Sequence, residues 1–257
     1  MNAVITGASG GIGEAIVREL AARQIDVILV ARSADRLEAL ASEVRREHGV
    51  AAYVIARDLT QPGAAADVFA SARGVAGRID ILVNNAGFGA MGPFGASALQ
   101  TDLEMIRLNV EVLTELSKRA LPDLIAAKGK LLNVASTAAF QPGPLMAIYY
   151  ATKAYVLSFT EALAEELAPE GVTVTALCPG PTLTGFQARA DIREARLFSA
   201  GAMSASRVAK AGVDGLFAGR RVVVPGVLNW ILSQANRLAP RRLPPKITKW
   251  LHGQVGR

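Results

Sequence analysis

A β-like run, Asn2 to Thr6, empties into Thr6-Gly7-Ala8-Ser9-Gly10-Gly11-Ile12-Gly13, and a helical pattern carrying Ile16, Val17 and Leu20 comes directly after it. Glycines permit positive φ and let backbone amides come close to a pyrophosphate, which the positive end of the next helix attracts. The spacing is G-x-x-x-G-x-G, different from the general dinucleotide fingerprint G-x-G-x-x-G. A glycine turn alone is often only a tight connection. Its place at the first strand-to-helix turn points to a nucleotide.

The alternation continues along the chain. Runs at Ile25 to Ala31, Val50 to Ala56, Ile79 to Val83, Lys130 to Ala135, Gly171 to Leu177 and Arg221 to Val224 read as strands. Helical spacing occupies Ala34 to Glu47, ended by His48-Gly49, then Pro62 to Ala76, Asp102 to Ala126, Ala147 to about Ala168, and a stretch from a Ser204 cap to Ala218. Within Ile79 to Val83 the stretch Ile81-Leu82-Val83 is uninterruptedly apolar, as a strand buried on both faces of a parallel sheet tends to be. With 257 residues and no linker, repeat or low-complexity segment, one doubly wound α/β domain over 1–224 is expected. A polar, aperiodic stretch at about 183–203 reads as a substrate lid, and 225–257 as an extension packed on the same domain.

The strand ends carry the binding candidates. Val30-Ala31-Arg32-Ser33 closes the second strand, where NAD-binding folds place an acidic residue to hold the ribose 2′-hydroxyl. Arg32 with Ser33 suits a 2′-phosphate instead, so NADP(H) is favoured over the plainer reading of a solvated Arg. Asp58-Leu59 comes after the third strand, placed to contact an adenine edge or to form an Asx turn. Asn84-Asn85-Ala86-Gly87 could cradle a ribose or merely turn. Cys178-Pro179-Gly180-Pro181-Thr182 closes another strand, with Cys178 read as buried packing rather than a reactive thiol.

Tyr149 and Lys153 stand at i and i+4, so their side chains emerge one turn apart and share a cleft. At about 4 Å and an effective dielectric of about 20, the ammonium would favour the phenolate by on the order of 4 kcal/mol, roughly three pK units. The phenol is thus expected to move from its ordinary value toward the neutral range, where it serves as acid or base. Ser136 closes the Lys130 to Ala135 run, so its hydroxyl belongs at the C-terminal edge of the sheet, where open α/β folds bind ligands. Asn109, between Leu108 and Val110, is read as facing inward.

Together these motifs resemble the classical short-chain dehydrogenase/reductase family, from Asn2 to about Val224. Thr6, Gly7, Gly11 and Gly13 match its cofactor motif, Asn84 to Gly87 its Asn-Asn-Ala-Gly motif, and Asn109, Ser136, Tyr149 and Lys153 its catalytic tetrad. Pro179-Gly180 with Thr182 matches the strand-end motif that lines the nicotinamide. The resemblance implies a Rossmann-type sheet of seven parallel strands and hydride transfer at C4 of the nicotinamide of NADP(H). Ser9, Ile12, Asp58, Leu59, Asn85, Ala86 and Gly87 join the cofactor set, with Tyr149 and Lys153. Tyr149 would protonate the carbonyl oxygen, Ser136 would hydrogen-bond it, Lys153 would lower the tyrosine pKa and hold the nicotinamide ribose, and Asn109 would position a water.

Arg32 resembles the basic residue of NADP-preferring members, although Gly10 stands where many of them carry another. Only Tyr149 stands four before the lysine, so Tyr150 reads as packing. Phe88, Met91, Phe94, Phe140, Leu145, Met146 and Phe186 lie on loops at the same edge and suggest a hydrophobic ketone, aldehyde or secondary alcohol. The alternative is a non-catalytic nucleotide sensor or scaffold on this fold, against which the intact tetrad stands. Family members pack as homodimers or homotetramers through the helices carrying Asn109 and Tyr149.

The net charge of +6 is uneven. From Gly215 onward there are 8 Lys/Arg and no Asp/Glu, leaving 20 basic against 22 acidic residues before it. The near-neutral body gives no ground for nucleic-acid binding. In the tail, Val227, Leu228, Trp230, Ile231 and Leu238 alternate with a polar face, with Arg241, Arg242, Lys246, Lys249 and Trp250 beyond them. Such a segment can lie on an anionic membrane; packing over the pocket or a subunit interface is the plainer reading. No apolar run reaches spanning length and Asn2 leads straight into the glycine turn, so a cytoplasmic protein is expected. Cys178 alone admits no internal disulfide, and the distant His48 and His252 suggest no zinc site.

Overall fold

The structure, a computed structural model, describes residues 1–186 and 202–253, apart from the side chains of Arg237 and Leu238. Apolar alternation builds its centre. In β1 (Asn2–Thr6), Ala3 and Ile5 are buried against one layer and Val4 against the other, as a sheet covered on both faces requires. The chain continues through α1 (Gly11–Ala21), β2 (Asp26–Ala31), α2 (Ala34–His48), β3 (Ala52–Ala56), α3 (Ala64–Ala76) and β4 (Ile81–Asn84). Then come α4 (Leu99–Ile106), α5 (Leu113–Ala127), β5 (Lys130–Val134), α6 (Ala147–Leu167), β6 (Thr173–Leu177), β7 (Thr182–Leu183) and β8 (Met203–Ser204). The last elements are α7 (Ala205–Phe217), β9 (Val222–Val223), α8 (Val227–Leu238) and α9 (Leu243–His252).

Seven strands form one parallel sheet in the order β3-β2-β1-β4-β5-β6-β9. Helices α1, α2 and α7 pack on one face; α3, α5 and α6 pack on the other. The order reverses at β1, which pairs with β2 on one side and β4 on the other, so a crevice opens beyond the C-terminal ends of β1 and β4. The helix expected over Asp102 to Ala126 is instead α4 and α5 joined by a π-helical stretch, Arg107–Val112. Asn109 sits in that stretch and is buried, in keeping with the habit of π-turns to interrupt helices beside functional sites. Most of the expected lid, 187–201, lies outside the described residues. Its flanks are joined, because β7 pairs in parallel with β8. Among the described residues, no helix is long and apolar enough to cross a membrane.

A polar network crosses the sheet centre. Asn84 Nδ2 donates to Asn133 Oδ1 (2.9 Å) and to Ser117 Oγ (2.9 Å), and Asn133 Nδ2 donates to Thr160 Oγ1 (3.0 Å). All four residues are buried, so β4 and β5 are tied to α5 and α6 where water cannot substitute. Replacing Asn133→Ala leaves buried partners short of a bond and should lower stability by about 1–3 kcal/mol. Urea unfolding followed by circular dichroism measures it, and an unchanged midpoint would show the network to be dispensable.

Candidate active site

Two turns meet at the switch point. Thr6 Oγ1 donates to Val83 O (3.3 Å) and accepts from the amides of Asn85 (3.0 Å) and Ala86 (3.0 Å). Asn85 Nδ2 donates back to Thr6 O (2.9 Å) and Gly7 O (3.2 Å). Gly13 packs so closely that a Cβ there would stand 2.2 Å from Gly7 O, and Gly7 itself adopts φ +67°. Only glycine fits both places. Thr6 and Gly13 therefore shape the turn from behind, while Gly7, Ser9, Gly11 and Ile12 line a cavity of about 530 Å³ along the sheet edge.

One end of that cavity is basic. Arg32 and Ser33 line it, as expected, and so do Arg36 and Arg57, which sequence reasoning missed. The signal was register: Ala31 pairs with Ala56, so Arg32 and Arg57 leave neighbouring strands side by side. Arg57 pairs with Asp67, whereas neither Arg32 nor Arg36 forms an ion pair with a described residue. Asp58 Oδ1 accepts from Thr60 N (3.0 Å) and Thr60 Oγ1 (2.8 Å), the Asx turn of the two readings offered for it. Asp58 and Leu59 still border the cavity, as do Asn85, Ala86 and Gly87.

Ser136, Tyr149 and Lys153 lie farther along the same edge. Ser136 caps a 3₁₀ turn, Thr137–Phe140, accepting from Ala138 N (3.1 Å) and donating to Pro179 O (3.4 Å). Tyr149 rises from the first turn of α6, and Lys153, one turn on, donates Nζ to Val134 O (2.8 Å). All three line the cavity, as do Pro179, Gly180 and Thr182. The spacing argument predicted a phenol drawn down by the ammonium. In the structure, burial dominates: it pushes the Tyr149 phenol up to about 12, opposed by a hydrogen bond with Ser136, and brings Lys153 down to about 8. Lys153 Nζ stands 5.9 Å from the Tyr149 ring centroid, and desolvation outweighs attraction over that span.

Asn109 differs too. Its Oδ1 accepts from Phe88 N (3.1 Å), and its Nδ2 donates to Phe88 O (2.9 Å) and Thr152 Oγ1 (3.0 Å). The side chain thus holds the loop after β4 against α6. It does not line the cavity. Cys178 is fully buried, its thiol pushed up to about 12 chiefly by burial, and it packs with Val156 and Ala176.

Of the apolar loop residues, Met146 and Phe186 line the cavity; Phe88 is instead in the core, Phe94 is exposed, and Phe140 packs on another cluster. Tyr150 does more than pack. Its hydroxyl meets His252 Nε2 at 2.9 Å, while His252 Nδ1 lies 2.8 Å from Pro144 O. A carbonyl only accepts, so Nδ1 carries the proton and Nε2 accepts from the phenol in a neutral ring. His252, buried at the end of α9, lines the cavity from a segment far away in sequence, so local pattern held no sign of it.

Burial lowers the His252 pKa below its ordinary 6.5. A base with a depressed native pKa contributes its stability fully above the ordinary value and loses it as pH falls through the native one. Acidification from neutral pH to about pH 5 should therefore loosen α9. The emission of Trp230 and Trp250, the chain's two tryptophans, reports it. His252→Gln should flatten that response, and an identical acid transition in the variant would assign it elsewhere.

The short chain dehydrogenase family model matches residues 1–195. An uncharacterized oxidoreductase of Staphylococcus epidermidis is 33% identical over 199 residues, covering 77% of this chain and 85% of that protein. The human very-long-chain 3-oxoacyl-CoA reductase is 34% identical over 184 residues, 69% of this chain but 58% of the longer relative. Among solved structures, a short-chain dehydrogenase from Sphingobium yanoikuyae in complex with NADPH superposes with a TM-score of 0.83 at 35% identity, over 92% of this chain and 93% of that one. A bulky-bulky ketone specific alcohol dehydrogenase from Comamonas testosteroni gives 0.78 at 31%, over 95% and 98%. With its glycine turn, sheet order and edge cavity, the chain belongs to the short-chain dehydrogenase family.

Proposed function

We propose that this oxidoreductase uses NADP(H) to interconvert a hydrophobic ketone or aldehyde and its alcohol, with Tyr149 as the acid and base. The observation that carries the reading is one cavity holding the glycine turn, three guanidinium groups and the Ser136, Tyr149 and Lys153 trio. The fit to the cofactor is local. The turn is tight enough that a Cβ at Gly13 would strike Gly7 O, which lets backbone come near a pyrophosphate. Arg32 and Arg36, unpaired with described carboxylates, suit a 2′-phosphate. The NADPH bound by the Sphingobium relative supports this choice.

When bound, NADPH supplies a hydride from its nicotinamide. The chain supplies the proton and the field. With its pKa held up to about 12, Tyr149 is protonated at neutral pH and enters carbonyl reduction as an acid. Lys153, at about 8, is mostly charged there and stabilises the phenolate that proton transfer leaves behind. Ser136 holds the carbonyl oxygen beside the phenol. Asn109 positions Phe88 and Thr152 rather than the substrate. Met146, Tyr150 and Phe186 form an apolar wall for the substrate's body, and the ketone named for the Comamonas relative supports a bulky one. A cytoplasmic homodimer or homotetramer belongs to the same reading, supported by exposed Leu99, Leu103, Ile106 and Tyr155 on the helices of that face.

Tyr149→Phe should cut NADPH-dependent reduction of a panel of hydrophobic ketones by roughly 10²–10⁴-fold while leaving NADPH affinity unchanged. An unaltered rate sinks the mechanism, and binding without turnover in the parent protein favours a non-catalytic role. Fluorescence titration tests the cofactor separately. Arg32→Asp should weaken NADPH by about tenfold or more through lost charge-assisted bonds while sparing NADH. Equal affinity of the parent for both cofactors would refute the 2′-phosphate assignment.

A further inference from the structure

Helices α8 and α9 are built inside out. In a helix lying on a globular protein the polar face meets water and the apolar stripe faces the core. Here the inward residues of α8 are Asn229, which donates to Pro225 O (2.8 Å), Asn236, which donates to Gln141 Oε1 (2.6 Å), and Ser233, which is buried. The outward ones are Val227, Leu228, Trp230, Ile231 and Leu232, each 49–77% exposed. Helix α9 repeats the inversion: Pro244, Thr248 and His252 are buried, while Leu243, Ile247 and Trp250, at i, i+4 and i+7, are exposed. Both helices are seated on one loop, α8 through Gln141 and α9 through Pro144, so their outer surfaces flank the loop that borders the cavity.

We infer that this face docks on an anionic lipid surface. Apolar side chains of this size and number turned to water mark an interaction face. Charge chooses the partner. Arg241, Arg242, Lys246 and Lys249 are exposed around the apolar residues, and the sequence has no acidic residue after Asp214. A second copy pairing symmetrically through the same face would set these cations against one another with no anion between them. Phosphate headgroups neutralise them instead, while the apolar face enters the acyl boundary and the two indoles occupy the headgroup level they favour. The inference is independent of the oxidoreductase reading.

The chain carries its own probe, because its only two tryptophans, Trp230 and Trp250, both lie on this face. The full-length protein is mixed with vesicles of phosphatidylcholine alone and with equimolar phosphatidylcholine and phosphatidylglycerol, then monitored by emission and co-sedimentation. Expected are blue-shifted emission and binding about tenfold or more tighter to the anionic vesicles, weakened near ~1 M salt. Ile231→Ser with Ile247→Ser, or Lys246→Glu with Lys249→Glu, should each reduce binding by about tenfold with an unchanged thermal midpoint, since these side chains are exposed. Absence of sedimentation with anionic vesicles overturns the proposal, and so does equal binding to both compositions. If the Ile→Ser pair converts a dimer to a monomer in sedimentation velocity and lipid leaves the emission unmoved, a second copy covers the face and the proposal fails.

Discussion

The cavity depends on one bond set, the lock that Thr6 and Asn85 make between the ends of β1 and β4. Parallel strands diverge past their last ladder bond, and the turns beyond it must be held by side chains. Thr6 Oγ1 accepts two amides of the β4 turn, and the Asn85 amide group returns two bonds to the β1 turn. The glycine turn and the Asn-Asn-Ala-Gly turn thereby become one rigid floor. Asn109 extends it, gripping Phe88 by both its amide and its carbonyl and passing the constraint to Thr152 on α6. The helix that presents Tyr149 and Lys153 is in this way referenced to the glycine turn. A residue at a strand end, a residue in a loop and one in a π-turn act as a single gauge block.

On that floor the electrostatics are those of a dry site. Lys153 keeps one fixed partner, Val134 O, and burial lowers its proton affinity. The Tyr149 phenol responds in the opposite direction, because for an acid the charged form is the deprotonated one. Both shifts favour the neutral forms, so the resting pair carries less charge than it would in water. Attraction between ammonium and phenolate appears only once the phenolate exists. Under the proposed mechanism, such a pair favours the product of proton transfer over the resting state.

Much of this was legible in the chain. The glycine spacing located the first turn, Arg32 located the basic end, and i, i+4 spacing placed Tyr149 beside Lys153, because each rests on local geometry. The features that stayed hidden rest on register or on dryness. Arg57 joins Arg32 only because Ala31 and Ala56 pair across the sheet. Asn84 reads in sequence as part of a ribose cradle, but Asn133 and Ser117 occupy its amide. The direction of the Tyr149 shift could not be derived from spacing, since spacing gives a distance and not the solvent left between the groups.

The tail shows the same limit from the other side. Period 3.6 in a hydrophobic pattern establishes that a helix has two unlike faces; it says nothing about which one meets the protein. That is settled by what the protein offers, and the loop under α8 and α9 offers Gln141 Oε1 and Pro144 O, acceptors that call for donors. Asn236 and His252 answer them. An apolar face turned inward would have left those acceptors unmet, at about 1–3 kcal/mol each. The polar faces are inward because the seat is polar, and the apolar faces are outward as the consequence.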